Sequence, residues 1–259
     1  MSGIAELYGL LRSLLLYEAV PGRLVRLARF YARFLGPGDL AIDGGAHLGT
    51  RTRAFLALGA RVVAVEPHPL FARILRWRFR EERRVFVLEA ALAGGEGRLH
   101  LHRSATAPTV STADPGFRDF MRRRGVRFGP GSEVPALGLD ALLRRFGIPA
   151  FVKLDLEGME AEVLEGLSQP LRALSFEHLP GREEATCRCL RHLARLGRYR
   201  YGFVIGERSR FALEDVAAAE LTARLAELRR AGDVYAWRAP SAADGAGAGA
   251  RAGRGGHRG

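Results

Sequence analysis

Between residues 38 and 88 the chain alternates short apolar runs with helical stretches, and the first run empties into a glycine-rich loop. Leu40-Ala41-Ile42 leads into Asp43-Gly44-Gly45-Ala46-His47-Leu48-Gly49, and a helix is expected from there to about Leu58. Residues 62–65 read as a second buried strand ending at Glu66-Pro67, 70–80 as a second helix, and 85–88 as a third strand. Strands joined through helices are parallel and covered on both faces, so the chain is expected to be an α/β protein. The pattern resumes downstream. Strands are expected at 151–156 and 173–177, helices at 139–146, about 157–167 and 183–196, and a closing pair of strands at 199–205 and 233–237. Residues 97–103 alternate like an edge strand, while about 104–134 read as an irregular insertion.

In open α/β sheets a ligand sits beyond the carboxyl ends of the strands, beside the first one. A dinucleotide fingerprint there would read G-x-G-x-x-G, with the middle glycine admitting a pyrophosphate. Gly44, Ala46 and Gly49 occupy those places, so the middle glycine is missing. A carboxylate at Asp43 would repel a pyrophosphate and attract a ligand bearing an ammonium and a sulfonium. Glu66, ending the second strand, can accept hydrogen bonds from both hydroxyls of a ribose. The two acids together describe S-adenosylmethionine better than NAD. Alone, Asp43 reads equally as a helix cap and Glu66 as a solvated strand end.

The fourth strand carries Lys153 and Asp155 on one face, the latter expected to point into the crevice with Asp43. A lysine in an apolar strand needs an acidic partner, so a buried ion pair and a substrate contact both suit it. Glu157 and Glu160 open the next helix, where acids favour the positive end of the helix dipole. Glu177 and His178 close the fifth strand. His178 is expected to line the acceptor side as general base, because its ordinary pKa suits proton transfer near neutrality. His68 stands nearer the cofactor rim, and Ser111 and Thr112 could help close the site. His100 and His102 alternate on one strand without a third ligand, so no metal site is expected.

Several of these strings resemble one family in order. Residues 38–49, Val65-Glu66-Pro67-His68-Pro69, Ala91-Leu92, Leu139-Asp140-Ala141-Leu142, Lys153-Leu154-Asp155-Leu156-Glu157-Gly158-Met159-Glu160 and Phe176-Glu177-His178 are similar to the motifs of FkbM-type methyltransferases. Departures are His47, where the family usually has Asn, and Gly138, where a Thr usually precedes Leu-Asp. The resemblance implies a class I methyltransferase (Rossmann-like) fold with a seven-stranded, mostly parallel sheet and helices on both faces. It implies S-adenosylmethionine as cofactor, held by Asp43, Gly44, Gly45, Ala46, His47, Gly49, Glu66, Pro67, Ala91 and Asp155. The expected reaction is O-methylation of a hydroxyl on a small metabolite, sugar or natural product, with His178, Asp155, Lys153 and Glu177 at the reacting end. Residues 1–35 form an N-terminal helical segment in this reading, 36–238 the methyltransferase domain, and 239–259 a disordered tail of Ala, Gly and Arg.

Charge is the main competing signal. The net charge of +12 and the run Arg122-Arg123-Arg124 raise the alternative of a nucleic-acid methyltransferase. Lys153 is the only lysine, and asparagine is absent, an inventory that reads as coding bias rather than as a nucleic-acid surface. No aromatic pair beside the fourth strand offers a stacking pocket for a flipped base. A cofactor-binding interaction module without turnover is a third reading. The apolar stretch 7–20 is interrupted by Arg12 and Glu18 and is too short to span a bilayer, and no signal-peptide pattern opens the chain, so a cytoplasmic protein is expected. Cys187 and Cys189 lie on different helical faces, which suits neither a disulfide nor a zinc site.

Overall fold

The computed structural model describes residues 22–104 and 110–239. The helix expected before Pro21 and the tail from residue 240 lie outside the described residues. Helix α1 (Arg23–Tyr31) precedes β1 (Leu40–Gly44), α2 (Thr50–Ala57), β2 (Arg61–Val65), α3 (Pro69–Arg78) and β3 (Val85–Leu88). Next come β4 (Ala91–Leu92), β5 (Gly97–Arg103), β6 (Ser111–Thr112), α4 (Pro115–Arg122), β7 (Ser132–Leu137) and α5 (Leu139–Phe146). The second half holds β8 (Phe151–Leu154), α6 (Glu160–Glu165), β9 (Ala173–His178), α7 (Glu183–Leu196), β10 (Tyr199–Ile205), β11 (Leu213–Val216), α8 (Ala218–Leu228) and β12 (Gly232–Arg238).

The main sheet has the order β11-β10-β12-β9-β8-β1-β2-β3. Strands β3, β2, β1, β8 and β9 run parallel, and β12 pairs antiparallel with both β9 and β10. The chain winds outward from β1 to β3 and returns to β1's other side at β8, which makes β1 the switch point. The expected seven strands are therefore eight. The addition, β11, sits on the outer edge of β10, and its Leu-Glu-Asp-Val sequence has no apolar alternation to announce it. Sequence reading also passed over α4, β7 and α8, the first two because they lie in or border the Gly- and Pro-rich stretch read as irregular. The stretch read as irregular contains a helix capped by Asp114, whose carboxylate accepts from Gly116 N at 2.8 Å.

Side-chain alternation divides the sheet chemically. On one face Leu40, Ile42, Val152, Leu154, Leu174 and Phe176 pack under α5, α6, α7 and α8. On the other, Ala41, Val62, Phe151, Ala173 and Tyr235 meet α1 and α2 through Leu27, Phe30, Tyr31 and Phe55. Phe34 stacks on Phe151 with centroids 5.1 Å apart, and Tyr31 meets Phe55 edge-on at 4.8 Å. Such pairs add about 0.5–1.5 kcal/mol each beyond area burial. They fasten α1 to the sheet and bring Arg23, its first residue, to the mouth of the crevice.

Candidate active site

The face that packs on α1 and α2 becomes polar toward the carboxyl ends of the strands. Register places Asp43 beside Lys153, Lys153 beside Ser175, and Glu177 beside Asp233. All these side chains project to the same face, with Asp155 two residues beyond Lys153. Asp43, Lys153, Asp155 and Glu177 line a crevice of about 270 Å³. Its floor includes Gly45, Ala46 and His47, and one wall is built by Leu99, Leu101, Ser111 and Ala113. The small sheet β4-β7-β5-β6 thus supplies the crevice's second side.

The β1 loop must pass close to the end of β8. Asp155 N donates to Gly44 O at 3.1 Å, and a Cβ on Gly45 would lie 1.9 Å from Asp155 O. Gly45 also has φ +73°, so a side chain is excluded by both space and conformation. Gly44 and Gly49 do not line the crevice. Gly44 is packed beneath Leu92, and Gly49, at φ +80°, starts α2 against Phe79. They shape the loop rather than face a ligand.

Asp43 is buried, and Thr52 Oγ1 donates to its Oδ2 at 2.6 Å. Burial raises its pKa, opposed by Lys153. Glu66 is held by backbone: His47 N donates to Oε2 and His68 N to Oε1, each at 2.8 Å. Burial pushes its pKa up to about 7 despite those two donors. Each oxygen retains a lone pair, and the residue lines the crevice with Pro67 and Phe71. His47 adopts φ 49° and lies over Phe71, with ring centroids 4.1 Å apart. Its Nε2 is buried without a partner, and burial lowers the imidazole pKa to about 4. A neutral imidazole there can give or take one hydrogen bond from a ligand.

Lys153 is buried and donates to Asp155 Oδ2 at 2.8 Å. Burial alone would lower its pKa, but Asp155 outweighs that and holds the ammonium firmly charged. Asp155 is 45% exposed and opens into the crevice, and Lys153 draws its pKa down against the effect of burial. Glu177 lines the same cavity. Burial, then the carboxylates of Asp155 and Glu157, push its pKa up to about 10. Burial also raises Asp233, opposite it, to about 6. Glu157 faces the cavity at φ 52°, and its carbonyl accepts from Thr112 Oγ1 at 2.7 Å. Glu160 turns inward instead. It takes Leu156 N at 2.7 Å and Gly158 N at 3.1 Å, which ties down the loop before α6.

His178 requires a correction. It is 2% exposed, lies on the opposite face from Glu177, and is not among the residues lining the crevice. Its Nδ1 is within 2.8 Å of Thr186 Oγ1 on α7, and burial lowers its pKa. The signal was present in the sequence: His178 shares the parity of Leu174 and Phe176, the apolar members of the strand. His68 is also buried, capping α3 by accepting from Leu70 N at 3.2 Å. His102 Nδ1 lies 3.2 Å from Gly129 O and its Nε2 2.7 Å from Arg118, while His100 Nε2 reaches Pro130 O at 2.8 Å. Among the described residues no group of acids, histidines and cysteines is arranged to hold a metal. Ser111 lines the crevice with its hydroxyl buried and unpartnered.

Sequence reading missed Arg23, Arg51 and Glu207, all of which line the crevice. Glu207 Oε2 accepts from Arg23 at 2.7 Å and Arg51 at 2.8 Å. The general arginine excess concealed the two cations, and Glu207 lies in a loop with no periodicity.

The glycine loop, the strand-end acids and the switch point meet at one crevice of an α/β fold. A model of the methyltransferase FkbM domain matches residues 43–235, and the chain belongs to that family of methyltransferases. S-adenosylmethionine is the cofactor that the sequence leads one to expect. The residues present fit it: Glu66 offers carboxylate lone pairs, the β1 loop bears no obstructing side chain, and His47 Nε2 lacks a partner. Solved structures with a similar fold include the precorrin-6y C5,15-methyltransferase of Geobacter metallireducens. It is 14% identical over 84% of this chain and 87% of that one, with a TM-score of 0.44. An O-methyltransferase from Bacillus cereus, solved in complex with SAH, is 14% identical over 91% of this chain and 89% of its own, at 0.42. No curated protein matches the chain. No helix among the described residues is long and apolar enough to cross a membrane.

Proposed function

We propose that the protein transfers the methyl group of S-adenosylmethionine to a hydroxyl of a small organic acceptor. The observation that supports this reading most is the convergence of Asp43, Glu66, Asp155 and Glu177 on one crevice beside a buried lysine. Bound S-adenosylmethionine supplies an electrophilic methyl on a sulfonium, so the protein's part is binding, alignment and proton handling. Glu66 and the β1 loop hold the nucleoside end. Asp43 and Asp155 favour positive charge in the cavity, and Lys153 fixes the direction of Asp155.

Glu177 takes the place of His178 as proton acceptor. Without a ligand its proton is retained first by burial and then by repulsion from Asp155 and Glu157. A cation in the crevice relieves that repulsion and lowers the Glu177 pKa toward neutrality. The ionised carboxylate then accepts the proton of the acceptor hydroxyl. Ser111 and Ala113, in the crevice wall, narrow access for water.

Calorimetry with S-adenosylhomocysteine tests the cofactor assignment. Wild type should bind it and should not bind NAD. Glu66→Ala should weaken binding by roughly 1.5–3 kcal/mol, the scale of hydrogen bonds to a charged group. Affinity unchanged in both Glu66→Ala and Asp43→Ala would overturn the assignment. Mass spectrometry of metabolite extracts incubated with enzyme and labelled donor would then show whether label enters a hydroxyl-bearing product.

A further inference from the structure

A second concavity adjoins the crevice and has the opposite charge. It measures about 1020 Å³ and shares Arg23 and Glu207 with the crevice. On α1, Arg23, Arg26 and Arg29 follow one side of the helix and Arg33 comes just after it, while Leu27 and Tyr31 are buried on the other. The loop after β10 brings Arg208 and Arg210 against them from nearly two hundred residues away in sequence. Among the described residues, six arginines and two glutamates line this groove, both glutamates are engaged, and Arg29, Arg208 and Arg210 stand exposed on it. Glu207 is held by Arg23 and Arg51, and Glu214 by Arg33. Phe30 and Phe211 supply an apolar floor, with the Arg33 guanidinium 4.9 Å above the Phe211 ring.

A coding bias toward arginine accounts for many arginines but not for their convergence. Solvated charges of one sign gain by standing apart, whereas these close on one groove from two separate elements. Guanidinium groups stay charged at every physiological pH and match phosphate oxygens in pairs. The groove's surplus of positive charge, its concave shape and its continuity with the crevice together describe a seat for a polyanion whose far end reaches the methyl-transfer site.

We infer that this groove binds the phosphorylated end of the methyl acceptor, a small organic di- or polyphosphate ester whose hydroxyl enters the crevice past Glu207. The acceptor part of this inference rests on the methyl-transfer reading above, while the anion site itself does not.

The test is calorimetric titration of the full chain with inorganic pyrophosphate and tripolyphosphate, with and without excess S-adenosylhomocysteine. Both anions should bind in either condition, tripolyphosphate more tightly, and affinity should fall as salt is added. The triple variant Arg29→Gln, Arg208→Gln, Arg210→Gln should weaken pyrophosphate binding by at least about tenfold, the scale of one charge-assisted hydrogen bond. Its affinity for S-adenosylhomocysteine should stay at the wild-type value, which also shows that it is folded. Absence of pyrophosphate binding in wild type, or equal binding by the triple variant, overturns the anion site. Single-stranded RNA that binds more tightly than tripolyphosphate, with affinity growing with its length, overturns the small-ligand assignment in favour of nucleic acid. Loss of S-adenosylhomocysteine binding with pyrophosphate binding intact supports the groove and removes the methyl-transfer reading beneath the acceptor assignment.

Discussion

Glu207 stands between two neighbouring cavities that handle charge in opposite ways. In the crevice, Asp43, Glu66, Glu157 and Glu177 gather acids whose pKa values burial has raised, around one lysine and the half-open Asp155. Their charge is adjustable, because a proton can be kept or released according to what enters. In the groove, charge resides on arginines, which have no such freedom: Arg23 and Arg33 are paired within the chain, while Arg29, Arg208 and Arg210 stay charged and exposed. Burial, rather than the count of acids or bases, separates a site that responds to its ligand from one that attracts it.

The largest effect is expected at Glu177. Glu177→Gln should lower turnover by about 10²–10⁴-fold, the range for loss of a general base, while S-adenosylhomocysteine still binds. The same residue sets a pH dependence. Its pKa rises from 4.5 to about 10 on folding, so its stabilising contribution is complete below 4.5 and disappears as pH climbs toward 10. Thermal melts of the ligand-free protein should therefore fall between about pH 5 and 9, and Glu177→Gln should flatten that fall. A wild-type profile that rises over this interval would remove the adjustable-charge account of the crevice.

Lys153→Met comes next. It leaves Asp43 and Asp155 without their buried cation, and denaturant unfolding should show a loss of about 3 kcal/mol. That is the low end for breaking such a pair, because Asp155 keeps contact with water. His178→Ala should cost about 1 kcal/mol of stability through its hydrogen bond to Thr186, with turnover close to wild type. A drop in turnover on the scale expected for Glu177 would mean that His178 reaches the reacting hydroxyl after all. The smallest effect belongs to the groove. Arg208→Gln should change stability by less than about 0.5 kcal/mol, since the residue is exposed. A large destabilisation there would make the groove a structural feature rather than a ligand site.

Much of this was legible in the chain. The apolar runs at β1, β2 and β3, the glycine loop and the acids at positions 43 and 66 specify a parallel sheet with a cofactor crevice, because buried strands must be apolar and a loop beside a ligand must be open. Lys153 and Asp155 could be paired on spacing alone, since residues two apart in a strand share a face. Glu177 and His178 show where reading stopped short: both close the same strand, but one faces the crevice and the other α7. Their assignment needed the parity of Leu174 and Phe176 to be carried one residue further.

Local sequence thus determined the order of strands and helices around β1, the turn chemistry of the β1 loop and the acidic character of its surroundings. Those features depend on residues close together in the chain. Only the tertiary structure decided that β11 adds an eighth strand, that Ser111 reaches the crevice wall, and that Arg208 and Arg210 oppose the arginines of α1. It also decided the raised pKa values of Glu66 and Glu177, because desolvation and repulsion depend on which distant groups surround a carboxyl in space.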